Sequence, residues 1–219
     1  MLVRKPYLKT QDDIETLISN ILSKTDVEFT SDMAKKLSKL VLLLSQWSKA
    51  LNLTAIKDIN DIINLHIIDS ALISPLLLGK SIADVGTGAG FPGLVIAILN
   101  EDKQFTLIDS VAKKLSFVRT ACVQLEIKNV NIINKRCEDI EIDTPFDCIV
   151  SRAFAPLDRM VSWCLPLLKQ DGLFIAMKAN LKDSELNAIP SSVKVCKVVR
   201  LNIPNIDAMR NAVLLSRVV

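Results

Sequence analysis

No apolar run in this sequence approaches the ~18 residues that a membrane-spanning helix needs, although half of its 219 residues are apolar. The opening Met1-Leu-Val-Arg-Lys-Pro-Tyr7 lacks the uninterrupted apolar stretch of a secretory signal. Five cysteines, Cys122, Cys137, Cys148, Cys164 and Cys196, stand 11 to 32 residues apart with no Cys-x-x-Cys pair, an odd number for a disulfide framework. This argues against a zinc site and structural disulfides. The thiols are expected to be reduced, most of them packed in the core of a cytosolic protein. Nor does any repeat, low-complexity tract or flexible linker interrupt the chain.

Strong charge is missing too. The net charge is +3; residues 1–78 hold nine Lys/Arg against nine Asp/Glu, and residues 79–219 hold 18 against 15. That excess is small beside proteins that bind nucleic acid by charge alone. An RNA partner would have to be recognised by shape and a pocket, with a moderate salt dependence.

What is present divides by pattern. Residues 1–78 read as helices. Gln11 to Lys24 sets Ile14, Leu17, Ile18, Ile21 and Leu22 on one face, and Thr30-Ser31-Asp32 caps a helix running to Leu51. A third helix is expected over Asp58 to Leu77. From Lys80 onward strands alternate with helices. Strands are expected at 81–85, 105–109, 130–134, 146–151, 172–178, 193–200 and 212–218, and helices at 91–100, 111–126, 156–169 and 181–188. Such alternation implies a mostly parallel sheet covered on both faces, with ligands beyond the carboxyl ends of its strands. The expectation is one domain over 1–219: a helical extension, 1–78, on an α/β core, 79–219.

The densest signal is Asp84-Val-Gly-Thr-Gly-Ala-Gly-Phe-Pro-Gly93, four glycines between a short buried strand and an apolar helix. Glycines so spaced let the backbone turn tightly and let a ligand touch it, and the following helix aims free N–H groups at that ligand. Two registers are open. Gly88-Ala-Gly90-Phe-Pro-Gly93 fits the dinucleotide pattern G-x-G-x-x-G. The other register, acid-x-Gly-x-Gly-x-Gly from Asp84, is the loop of S-adenosylmethionine (SAM) methyltransferases.

Asp84, Asp109, Ser151 and Lys178 end four expected strands and should point into one crevice. The carboxylate of Asp109 suits a ribose diol, or else caps the next helix. Cys137-Glu138 would face an adenine edge, or is a solvated turn. Arg152 can hold an anion as a planar fork, or pairs structurally with Asp147 or Asp158. Lys178 is its equivalent one strand on. His66, the sole histidine, has Asp69 at i+3 to hold its ring and is either a catalyst or a packing residue. Lys113, Lys114, Arg119, Lys135 and Arg136 offer a basic rim, or a solvated face. Trp47 and Trp163 read as core.

Further absences narrow the chemistry. With one tyrosine, Tyr7, the Tyr-x-x-x-Lys pair of many short-chain dehydrogenases is missing, which leaves a nicotinamide enzyme no evident proton relay. No Asn/Asp-Pro-Pro-aromatic run follows strand four, against methylation of an exocyclic amine, and no Pro-Cys follows a strand, against a covalent route to pyrimidine C5. Acceptors with a free lone pair remain, such as a purine N7 or an oxygen. Attack from N7 needs no general base, so positioning would be the main service, worth ~7–11 kcal/mol.

Taken together, several segments resemble the bacterial small-subunit ribosomal RNA methyltransferase G family, also called the glucose-inhibited division protein B family. They are Trp47 with Asn52-Leu-Thr-Ala-Ile56, His66-Ile-Ile-Asp-Ser70, the glycine loop, Leu107-Ile-Asp-Ser110 with Lys113, Lys114 and Phe117, Asn129-Val130, Arg136-Cys-Glu138, Phe146-Asp147, Ser151-Arg-Ala-Phe-Ala155, and Lys178. The resemblance implies a Rossmann-like SAM-dependent methyltransferase, seven strands with helices on both faces, acting on N7 of one guanine in 16S rRNA. It implies that Gly86, Phe91, Cys137, Glu138 and Arg152 touch SAM; Asp109 joins them on the ribose argument. Arg152, Lys178 and His66 are the candidate catalytic residues. The expected partner is 16S rRNA in the small ribosomal subunit, with no membrane, no metal and a monomeric, cytoplasmic protein. An NAD-linked oxidoreductase and a non-catalytic RNA-binding assembly factor are the alternatives. The chain departs from the family at Ala179-Asn180, where glycine is usual, and at Asn211, where histidine is common.

Overall fold

The computed structural model describes residues 10–152, 155–204, 206 and 209–218. Tyr7 and the Ala153-Phe154 part of the Ser151 motif lie outside them. The seven strands are β1 (Ser81–Val85), β2 (Gln104–Ile108), β3 (Val130–Ile133), β4 (Phe146–Arg152), β5 (Leu168–Lys178), β6 (Val193–Arg200) and β7 (Asn211–Arg217). They form one sheet in the order β3-β2-β1-β4-β5-β7-β6. The first five run parallel; β7 is antiparallel to β5, and β6 to β7. The strand order reverses between β1 and β4, and the crevice outside their carboxyl ends is where such a sheet receives ligands.

Alternation along each strand divides the core. Ile82, Leu107, Cys148, Val150, Ile175 and Ala212 join one buried cluster, and their neighbours Ala83, Ile108, Ile149, Ala176 and Val213 the other. The first cluster also takes α1 (Gln11–Leu22), α2 (Ser31–Leu51), α5 (Gly93–Leu99) and α6 (Ala112–Gln124); the second takes α7 (Leu157–Cys164). Thr10 caps α1 by accepting from the Asp13 N–H while the Asp13 carboxylate accepts from the Thr10 N–H, a reciprocal capping box. Thr30 caps α2, accepting from the Met33 N–H.

Two expected helices are shorter than their apolar patterns. The third N-terminal one is composite: α3 (Ile59–Ile62), a π-helical stretch at Ile63–Ile68 and α4 (Asp69–Ala71), then a 3-10 turn at Ser74–Leu76 holding Pro75. The helix expected over 156–169 stops at Cys164, where a 3-10 turn containing Pro166 intervenes, and β5 begins at Leu168 rather than at 172. Proline lacks the N–H that a continuing helix requires. The register jump between Phe146–Leu168 and Cys148–Leu173 places an irregularity in β5 around Asp171-Gly172. A short α8 (Asp183–Asn187) precedes β6.

All five cysteines are free, with Cys137, Cys148 and Cys164 buried, Cys122 half-buried and Cys196 exposed. Among the described residues no helix is long and apolar enough to cross a membrane.

Candidate active site

The glycine loop is stapled from below. Asp84 is fully buried at the tip of β1, and its Oδ2 accepts from the Thr87 hydroxyl at 2.6 Å and from the Gly93 N–H at 2.7 Å. One carboxylate thus ties both ends of the turn. Glycine at 93 is a close-approach requirement, because a Cβ there would stand 2.6 Å from that same oxygen. At Gly90 the reason is conformational: φ is +87°, and a Cβ would run into the Leu94 side chain. Burial pushes the Asp84 carboxyl up to about 6, against the opposing pull of the Thr87 and Gly93 donors.

Above this staple opens a cavity of about 640 Å3, large enough for a nucleoside cofactor. Gly86, Gly88 and Phe91 of the loop, Asp109 after β2, Cys137 and Glu138 after β3, and Arg152 of β4 all line it. The Asp109 carboxylate accepts from the Gly88 N–H through Oδ2 and from the Val111 N–H through Oδ1, both at 2.8 Å. Asp109 therefore braces the loop and fixes the turn into α6, whose N-cap is Val111, and each oxygen keeps a lone pair for a diol. Glu138 accepts from the Cys137 thiol at 3.1 Å, a contact that holds its carboxyl below the usual range. Lys114, Lys135 and Arg136 also border the cavity; Lys113 and Arg119 do not.

One wall is built by the helical segment. The His66 ring stacks on Phe91 with centroids 4.9 Å apart, and the Arg152 guanidinium lies 5.8 Å from the Phe91 centroid. Arg152 donates to the Leu65 carbonyl at 3.1 Å, to Asp69 Oδ2 at 3.3 Å and to His66 Nδ1 at 3.0 Å. Since a guanidinium has only donors, Nδ1 must be the acceptor, and Nε2 carries the proton toward Thr54 Oγ1 at 2.8 Å. Burial, and then the charge of Arg152, lower the His66 pKa to about 3. It is neutral and nearly non-basic at pH 7. Asp69 is raised by burial, against the pull of Arg152 and Arg210, whose Nε stands 3.4 Å from Asp69 Oδ1.

Several expectations need correction. Of the four strand tips expected in one crevice, only Asp109 reaches it. Asp84 turns inward; the buried Ser151 hydroxyl donates to the Val85 carbonyl at 2.8 Å; Lys178 pairs with Glu185 at 2.7 Å and borders a different cavity. Asp69 does not hold His66, because Arg152 lies between them and engages both. Asp147 is not the partner of Arg152 either: it accepts from the Lys80 and Ser81 N–H groups and from Lys169. Trp163 lines the cavity, although its helical stripe reads as core. Thr54 is a further site residue, and its only sequence signal is its place in the Asn52-Leu-Thr-Ala segment; for Trp163 the sequence offers no signal beyond the helix itself.

The chain's residues fit a SAM molecule. A Cβ at Gly88 would meet nothing closer than Lys114 Nζ at 3.9 Å, so this face of the loop is open to a ligand. The acid of Asp109 lies beside that loop, and Phe91 and Trp163 supply apolar surface.

Solved structures with the same fold include a SAM-dependent methyltransferase from Aquifex aeolicus, 18% identical, covering 71% of this chain and 92% of that one at a TM-score of 0.52. Another is the Pyrococcus abyssi tRNA (uracil-54, C5)-methyltransferase, solved with S-adenosyl-L-homocysteine: 15% identical, covering 71% of this chain and 38% of that one, TM-score 0.53. The fold is that of the SAM-dependent methyltransferases. A sequence model of the rRNA small subunit methyltransferase G family matches residues 33–213. The chain is 41% identical to ribosomal RNA small subunit methyltransferase G of Histophilus somni (strain 2336) over 198 residues, covering 90% of this chain and 93% of that protein. It is 38% identical to that of Psychromonas ingrahamii over 201 residues, covering 92% and 97%. This chain belongs to the ribosomal RNA small subunit methyltransferase G family. It is a methyltransferase with SAM as its cofactor, and neither the NAD-linked nor the non-catalytic reading finds support.

Proposed function

We propose that the protein methylates N7 of one guanine in 16S rRNA, within the small ribosomal subunit, as a monomeric cytosolic enzyme whose helical extension and α/β core act as one unit. When bound, SAM supplies an electrophilic methyl group on its sulfonium. Gly86 and Phe91 border the space for its methionine end, Asp109 accepts from its ribose, Cys137 and Glu138 flank its adenine, and Arg152 closes the pocket toward the acceptor.

The observation that carries this reading is the setting of His66, whose Nδ1 lone pair is taken up by the Arg152 guanidinium and whose Nε2 faces Thr54 Oγ1. The histidine beside Arg152 is neutral with a pKa of about 3, and Arg152 keeps its proton. Neither His66 nor Arg152 offers an incoming nucleophile a base of useful strength at pH 7. Guanine N7 needs none, because its in-plane lone pair is free and no proton leaves on methylation. What remains for the protein is alignment: Phe91, His66 and Arg152 form a fixed surface that excludes water and orients the acceptor.

The test is methyl transfer from labelled SAM to small ribosomal subunits that lack the modification, followed by nuclease digestion and mass spectrometry. Label in 7-methylguanosine at a single 16S position is expected. Label in any other nucleoside, or none, would refute the assignment.

A further inference from the structure

Beyond the cofactor cavity lies a second one of about 290 Å3, and among the described residues the two share only His66 and Arg152 in their linings. It opens outside the ends of β5 and β7, at Met177, Lys178 and Asn211. We infer that this second cavity receives the acceptor base, a guanine swung out of its stack, with His66 and Arg152 flanking the seam where its N7 meets the methyl group. The inference rests on the methyl-transfer reading above and adds to it where the base sits.

Three features favour a base. Ile56, Leu65, Met177 and Leu201 give the cavity apolar walls, which suit the two faces of a flat ring; enzymes that act on extruded bases grip them so. His66 and Arg152 are common to both cavities, so a ring here lies next to the cofactor rather than at a remote surface. Finally, Asp69 is the one carboxylate lining the space among the described residues, and its buried Oδ1, although 3.4 Å from Arg210 Nε, receives no hydrogen bond. Guanine brings N–H donors that such an oxygen can accept. A phosphate would bring none, and the cations lining the space are already engaged, Arg152 and Arg210 by Asp69 and Lys178 by Glu185, which disfavours a backbone subsite.

Ala179 stands exposed at the mouth of this cavity, so Ala179→Phe can plug it without disturbing the core. The wild-type enzyme is assayed first: if it labels no rRNA, it is the methyl-transfer reading that fails. If the wild type is active, the plugged variant should lose roughly 100-fold in kcat/KM for the ribosomal subunit, with unchanged calorimetric affinity for S-adenosylhomocysteine. The smaller plug Ala179→Leu should lose less. Transfer at the wild-type rate by the Phe variant would overturn the inference. So would loss of S-adenosylhomocysteine affinity in a variant that melts like the wild type, since the space would then belong to the cofactor.

Discussion

Asp84 offers the sharpest test of the physical reasoning. Its carboxyl sits at about 6 in the folded chain against an ordinary value of 3.8, chiefly because burial removes it from water. A raised acid binds more protons folded than unfolded between these two values, so this group's contribution to stability falls as pH rises through that window. At ~1.4 kcal/mol per unit, the charged Asp84 costs about 3 kcal/mol near neutrality. Asp84→Asn keeps an oxygen for the Thr87 hydroxyl and the Gly93 N–H but carries no charge. The stability of the variant relative to the wild type should therefore rise by about 3 kcal/mol between roughly pH 4 and pH 7. The comparison must be a difference, because His66 works in the opposite sense. Its lowered value, about 3 against 6.5, makes the unfolded chain bind the extra proton, so that contribution grows as pH rises between the two values. Urea melts of both proteins across this range, subtracted point by point, cancel the histidine. A difference that does not change with pH would show that Asp84 is not the desolvated acid described here.

Three other expectations are simpler. Asp109→Ala should weaken S-adenosylhomocysteine binding by about 2–3 kcal/mol through loss of charge-assisted hydrogen bonds; unchanged affinity by titration calorimetry would remove its ribose role. The kcat/KM profile should show no histidine inflection between about pH 6 and 8, and an inflection there that disappears in His66→Gln would contradict the neutral, buried ring. Gly90→Ala should lower folding stability by about 1–3 kcal/mol, through positive φ and the collision with Leu94; a thermal melt matching wild type would show that the loop relaxes freely.

Much of the cofactor side was legible without coordinates. Period-two and helical patterns located seven strands and the main helices, because burial on a sheet or helix face imposes those periods. Asp84 and the glycines announced a ligand loop, since only such residues permit its backbone path, and the strand order that follows brings the ends of β1, β2, β3 and β4 to a single crevice. Where prolines interrupt an apolar stripe, at Pro75 and Pro166, the stripe overstated the helix. Side-chain direction at a strand tip was not legible either: Asp84, Ser151 and Lys178 end strands like Asp109 does, yet each finds its hydrogen-bond partners away from the crevice.

Partnership across the chain belongs to the tertiary structure alone. Arg152 meets Leu65, His66 and Asp69 across more than eighty residues of sequence, and no local period encodes such a contact. The same holds for the neutrality of His66, which follows from its burial and from a guanidinium contributed by a distant strand. The amino-acid sequence by itself determined the elements, the loop and the family to which the chain belongs. Packing decided which charges face each other, and hence which groups can move a proton and which can only hold a shape.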